Sequence, residues 1–168
     1  MIQIMDIKLA EIEDLDVIDD IYRNAIENMI KNNIFQWDEI YPQKNILEDD
    51  ILKKQLYKII YDKKIISAFV LNKEYDQEYF NGKWEYNGDN FMVLHRLCLD
   101  TEYQNIGLGT KIMLYIEDYL KNKNVNSIRL DAFSKNPIAL KLYNKLGYGK
   151  TGEANWRKGL FFLFEKIL

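Results

Sequence analysis

Residues 91–120 constrain the fold of this chain more tightly than any other stretch, because they join a strand to a helix through a turn carrying two glycines. Phe91-Met92-Val93-Leu94-His95-Arg96-Leu97-Cys98-Leu99 is a strand signal bounded by Asp100 and Thr101. Leu108, Ile112, Ile116 and Leu120 then recur at four-residue steps, with Tyr115 and Tyr119 beside them, which is the spacing of one helix face. Between the two lies Gln104-Asn105-Ile106-Gly107-Leu108-Gly109. Glycines let a backbone approach a ligand closely, and the first-turn N–H groups of a helix have no intrahelical partner and sit at the positive end of its dipole. A phosphate-bearing ligand is the expected occupant of this turn.

Three phosphate-binding patterns compete for it. A dinucleotide fingerprint needs a small residue where Ile112 stands, so that helix and strand can pack closely, and it opens the first strand-turn-helix unit of a chain. A nucleotide-triphosphate loop needs Lys-Ser/Thr after its last glycine, whereas Leu108-Gly109-Thr110-Lys111 has the opposite order. The third pattern is Gln/Arg-x-x-Gly-x-Gly/Ala, and Gln104 to Gly109 follow it position by position.

The next forty residues decide between them. Ser127-Ile128-Arg129-Leu130-Asp131-Ala132-Phe133 alternates as a half-buried strand. Asn136-Pro137 opens a helix, Ala139, Leu142, Tyr143 and Leu146 make its stripe, and Gly147 stops it. An Asn, an Ala three residues on, a Tyr four further and then Leu-Gly-aromatic (Leu146-Gly147-Tyr148) resemble the second hallmark of the GCN5-related N-acetyltransferases, whose pyrophosphate loop is the third pattern above. The resemblance covers residues 91–150 in detail and the N-terminal third more loosely.

That resemblance implies an α/β chain of the α+β type: a mixed, mostly antiparallel twisted sheet of about six to seven strands with about four helices, as one domain over residues 1–168. It implies acetyl-CoA as cofactor. Gln104, Asn105, Ile106, Gly107, Leu108, Gly109 and Thr110 would hold the pyrophosphate, main-chain groups of Leu97, Cys98 and Leu99 the pantetheine arm, and Asn136 and Ala139 would line that arm. Tyr143 matches the family's general-acid tyrosine; a phenol with a pKa near 10 stays protonated at neutral pH and can donate to a departing thiolate. His95, the only histidine, stands where arylalkylamine-type members carry one that helps deprotonate the amine. The alternative is a histidine satisfied on a partly buried strand, with Glu27, Glu85 and Asp89 as reserve bases. Cys98 is three residues from His95, so strand alternation points the two apart and argues for direct attack by the amine rather than an acetyl-cysteine. Gln36-Trp37-Asp38-Glu39-Ile40-Tyr41-Pro42 resembles the Gln-Trp-x-x-x-Tyr-Pro loop at the acceptor entrance of many small bacterial members. Trp37, Tyr41, Glu27 and Trp84 are therefore the candidate acceptor contacts, with ordinary packing as the other reading of the aromatics.

Composition narrows the partners. Residues 1–62 carry 14 acids against 7 bases and residues 63–168 carry 12 against 16, so the glycine turn lies in the cationic part and a polyanion suits it. The acidic part suits a cationic amine, although Asp14, Asp16, Asp19, Asp20 and Glu48-Asp49-Asp50 also read as solvated helix surface and caps. There is no basic nucleic-acid face, no membrane-length apolar run, no secretion signal at Met1–Asp6 and no cysteine-histidine metal spacing, so a soluble cytoplasmic protein without metal is expected, as monomer or homodimer. The acceptor is expected to be a small-molecule or peptide amine. A non-catalytic coenzyme A sensor of the same fold is the alternative from another class.

The remaining elements are read as a strand near 2–9, a helix over 14–31, a helix near 46–56, and strands near 57–62 and 64–73 joined at Asp62-Lys63. An aromatic insertion over 74–90 follows, with turn signals at Asn81-Gly82 and Asn87-Gly88. Trp156 and Leu160–Phe164 make a last strand pair. The order is β-α-α-β-β-β-α-β-α-β-β.

Overall fold

The computed structural model describes residues 4–168. Its elements run β1 (Met5–Leu9), α1 (Leu15–Lys31), α2 (Lys44–Leu52), β2 (Leu56–Tyr61), β3 (Lys64–Asn72), β4 (Phe91–Leu99), α3 (Leu108–Lys121), β5 (Ser127–Phe133), α4 (Pro137–Lys145), β6 (Gly149–Trp156) and β7 (Gly159–Ile167). This is the expected order. The part of the first expected strand at residues 2–3 lies outside the described residues. Strand order in the sheet is β1-β2-β3-β4-β5-β7-β6. The β4–β5 pair is parallel, while β1–β2, β2–β3, β5–β7 and β6–β7 are antiparallel.

The chain forms two compact units, one running to Leu71 with Arg96–Ile106 and the other made of Asn72–His95 with Gly107–Leu168. In the first, α1 turns Leu15, Ile18, Tyr22, Ala25 and Ile26 into a core with Trp37, Leu47, Ile51, Leu56, Val70 and Cys98. The second helix covers Lys44–Leu52 rather than 46–56. Lys54 takes a left-handed conformation (φ 57°), and Leu56, fully buried, already pairs with Val70 as the first residue of β2. Asp62 and Lys63 both have positive φ (48° and 64°), the backbone of a two-residue hairpin turn whose twist matches its strands.

In the second unit the insertion is folded down rather than looped out. Residues 77–81 form a 3-10 turn, and Gly82 is extended (φ −74°), so Asn81-Gly82 does not make the expected tight turn. Asn81 Nδ2 donates to the Glu153 carbonyl (3.1 Å) and Lys83 N to the Thr151 carbonyl (2.9 Å). Gly152 is required there: a Cβ on it would stand 2.8 Å from the Asn81 carbonyl oxygen. Glu165 accepts from Ser127 Oγ (2.8 Å) and Glu85 N (2.7 Å), while Arg129 Nη2 donates to the Tyr86 carbonyl (2.7 Å). The Arg129 guanidinium lies 4.5 Å above the Trp84 ring and 3.9 Å above that of Phe91.

Glu117 is a buried acid on the apolar face of α3. It accepts from Tyr148 Oη (3.0 Å) and Lys166 Nζ (2.8 Å). Removing one member of such a cluster strands the other, so Glu117→Ala should lower unfolding free energy by about 3 kcal/mol in a urea titration. The Glu117→Leu/Lys166→Met double variant should recover most of that loss.

Candidate active site

Gln104 anchors the start of the glycine loop. Its Nε2 donates to the Leu99 carbonyl (3.0 Å), and its Oε1 accepts from Asn28 Nδ2 on α1 (3.3 Å). Asn105 has φ 62°, and Ile106 is largely exposed. Gly107 (φ 80°) is the N-cap of α3, and no side chain caps that helix end. A Cβ at Gly107 would meet nothing within 4 Å, and one at Gly109 would reach only Leu142 Cδ2 at 4.0 Å. No side chain caps the first-turn N–H groups of α3, and a Cβ at either glycine beside them would have room, so this helix end fits a pyrophosphate.

On β4 the parallel ladder with β5 runs from Phe91↔Ser127 to Leu94↔Leu130. Two residues later Arg96 sits in the left-handed region (φ 49°) within the strand. Beyond it the Cys98 carbonyl accepts from Ser67 Oγ (2.8 Å) and Asp100 N donates to the Ile66 carbonyl (2.8 Å), so both face β3. Alternation then turns the main-chain groups of Leu97 and Leu99 the other way. The Cys98 thiol donates to the Ile21 carbonyl (3.8 Å), and burial pushes its pKa far above the ordinary thiol value. It is a core side chain, not a thiolate nucleophile. The expectation that Cys98 and His95 point apart rested on unbroken alternation, which the left-handed Arg96 interrupts; burial is what disqualifies Cys98.

Asn136 caps α4, its side chain accepting from Ala139 N (3.1 Å), and Gly147 (φ 84°) follows the last turn. Tyr143 is buried on that helix. Its ring packs against Tyr148 (centroids 5.6 Å) and Phe164 (6.1 Å), and its hydroxyl makes no hydrogen bond among the described residues. Burial first, and the nearby Asp131 carboxylate second, raise its pKa above the usual phenol value. His95 Nε2 lies 2.8 Å from Asn72 Oδ1.

The sequence model of the acetyltransferase (GNAT) family matches residues 18–148. The chain belongs to the GNAT acetyltransferase family. Solved structures share the fold. A GNAT-family acetyltransferase of Streptococcus agalactiae 2603 is 23% identical with a TM-score of 0.84, covering 98% of this chain and 95% of its own. One from Listeria monocytogenes 4b F2365 is 19% identical with a TM-score of 0.79 and 99% coverage of both chains. The PaiA N-acetyltransferase of Thermoplasma acidophilum, solved with coenzyme A, is 20% identical with a TM-score of 0.70, covering 98% and 99%. No curated protein matches the sequence closely enough to count as a relative. The seven strands and four α-helices among the described residues of this GNAT chain agree with the fold expected from its motifs.

Of the expected acceptor contacts in this GNAT chain, Trp37 is buried in the core against Tyr22 (centroids 5.6 Å). Tyr41 is partly exposed; its hydroxyl accepts from Arg96 Nη1 (2.8 Å), and the guanidinium lies 5.7 Å over its ring. Glu27 pairs with Lys31 (3.1 Å) on the surface of α1 and lines a shallow polar cavity of about 190 Å³ with Asn24, Asn28, Lys31 and Thr101. Trp84 stacks on Tyr79 (centroids 5.6 Å), and its Nε1 donates to the Tyr79 carbonyl (3.0 Å).

Sequence reading missed Asp50. Its run of acids reads as solvated surface, yet Asp50 is buried and ion-paired with Arg96 Nη2, and burial raises its carboxyl above the usual range against the pull of that guanidinium. The signal was present, since Asp50 shares the buried face of α2 with Leu47 and Ile51 at helical spacing. Among the described residues no group of three or more His, Cys, Asp or Glu is placed to hold a metal, and no helix is long and apolar enough to cross a membrane.

Proposed function

We propose that residues 1–168 form one acetyl-CoA-dependent N-acetyltransferase domain that acetylates a primary amine of a small molecule or peptide by direct attack in a ternary complex, in the cytoplasm. The observation that carries this is the uncapped N-terminus of α3 behind left-handed Gly107, in a chain of the GNAT family. The cofactor supplies an acetyl thioester. Gln104 to Thr110 bind its pyrophosphate through backbone N–H groups, with Gln104 itself holding the loop against β4 and α1. The main chain of Leu97 and the N–H of Leu99, turned away from β3, hold the pantetheine arm, with the N–H groups polarising the thioester carbonyl, while the Leu99 carbonyl is taken by Gln104. The cap bond from Ala139 N to Asn136 fixes the residues lining that arm. Tyr143 keeps its proton on Oη for the leaving thiolate, and His95 takes one from the attacking amine. Tyr41, partly exposed and held by Arg96, is the acceptor contact of this reading, while Trp37 packs on Tyr22 and Trp84 on Tyr79.

Calorimetric titration with acetyl-CoA, beside a Gly107→Trp variant, tests the reading. Binding by the parent chain that is lost in a folded variant, followed by turnover on a panel of amino acids, polyamines, arylalkylamines and peptides, is expected. Binding without turnover on any amine would make the chain a coenzyme A sensor instead.

A further inference from the structure

A general-base histidine must present the correct ring nitrogen, and the end of β3 dictates which one. Asn72, the last residue of β3, accepts at Oδ1 from the backbone N–H of Glu74 (2.9 Å). A backbone N–H can only donate, so the Asn72 atom facing it is the carbonyl oxygen and not the amide nitrogen. His95 Nε2 lies 2.8 Å from that same oxygen. An oxygen that only accepts requires a hydrogen on Nε2, and in a neutral imidazole this leaves the lone pair on Nδ1. Two short contacts to one atom thus fix both the amide orientation and the tautomer.

We propose that Asn72 is a positioning residue for His95, holding the imidazole as the Nε2–H tautomer so that Nδ1 is the atom that receives the proton of the acceptor amine. The inference rests on the reading of His95 as the base. In the step, the N–H proton of the substrate ammonium moves to Nδ1, and the amine nitrogen keeps the bonding pair as the lone pair with which it attacks. The Nε2–H bond to Asn72 stays in place and strengthens as the ring gains charge. An asparagine suits this use because its carbonyl holds the ring without adding a charge beside it. The Glu74 bond keeps that carbonyl from rotating away.

His95 is the only histidine, so its ring nitrogens give unambiguous signals in a long-range ¹H–¹⁵N correlation spectrum of the untagged labelled chain. With the ring neutral, the expected spectrum has a pyrrole-type Nε2 carrying a slowly exchanging proton and a pyridine-type Nδ1. Asn72→Ala should give tautomer-averaged shifts and lose the slow proton, with turnover falling about tenfold, as expected for one lost orienting hydrogen bond. Acetyl-CoA affinity, which reports folding, should not change. Asn72→Asp, which keeps an accepting oxygen, should retain the Nε2–H spectrum and most of the turnover. A proton on Nδ1 in the parent chain, or an Asn72→Ala chain with parental spectrum and turnover, would overturn the proposal. Full turnover in His95→Gln would instead remove the base reading while leaving the tautomer result standing.

Discussion

Tyr143→Phe is expected to lower kcat by roughly a hundredfold or more, with acetyl-CoA affinity within about twofold of the parent. The substitution removes one oxygen and leaves the ring, so the packing on Tyr148 and Phe164 survives. No hydrogen bond among the described residues is broken, because the hydroxyl makes none there. A tyrosine kept only for packing would therefore lose almost nothing on becoming Phe, and the two roles differ by orders of magnitude. Burial, and then Asp131, hold the phenol protonated above its ordinary value near 10. Tyr143 should consequently contribute no alkaline loss of rate below about pH 10. The same shift has a stability sign. Below pH 10 both folded and unfolded phenols are neutral and the group is indifferent to pH; above it the unfolded phenol ionises first, so stability falls as pH rises. Rate profiles from pH 7 to 10, and melts carried on to about pH 12, beyond the unfolded phenol's pKa near 10, measure this on both chains. Equal kcat values would reduce Tyr143 to a core residue.

How much of this was readable beforehand depends on whether a signal was local. The β4, α3, β5 and α4 boundaries follow from punctuation that acts within a turn or two: Asp100 after the strand, Gly107 before the helix, Asn136-Pro137 and Gly147 around α4. The end of α2 depended instead on a distant pairing, Leu56 with Val70 across β2 and β3, and no residue nearby announces it. β6 was seen only at Trp156 because Gly149 and Gly152 spoil its pattern, and Gly152 is there for the close approach of residues 81 and 82. Buried charge was the least legible. Asp50 and Glu117 fall on the apolar faces of α2 and α3 at helical spacing, but their partners Arg96 and Lys166 lie 46 and 49 residues away. The Asn72–His95 contact has the same character, joining the end of one strand to the middle of the next.

The glycine loop offers a test in which stability and binding should move in opposite directions. Gly109 lies in the first turn of α3, without a left-handed φ, and a Cβ there would touch only Leu142 at 4.0 Å. Structurally it has no need to be glycine. Gly109→Ala should stabilise the chain by about 1 kcal/mol, the difference in helix propensity, and the family's loop pattern admits Ala at this position, so acetyl-CoA binding should persist. Gly109→Glu should also stabilise it, by roughly 0.3–1 kcal/mol from a carboxylate at the helix N-terminus on top of the propensity gain. That carboxylate, however, occupies the place proposed for the pyrophosphate and carries the same sign of charge. Acetyl-CoA affinity should then fall by at least about a hundredfold, the effect of roughly 3 kcal/mol. A merely damaged fold lowers melting temperature and affinity together, whereas a blocked anion cradle raises one and abolishes the other. Melting curves and calorimetry on the same two variants separate these outcomes. A Gly109→Glu chain that melts higher and still binds acetyl-CoA normally would show that the pyrophosphate lies elsewhere, and the roles given to Gln104 through Thr110 would fall with it.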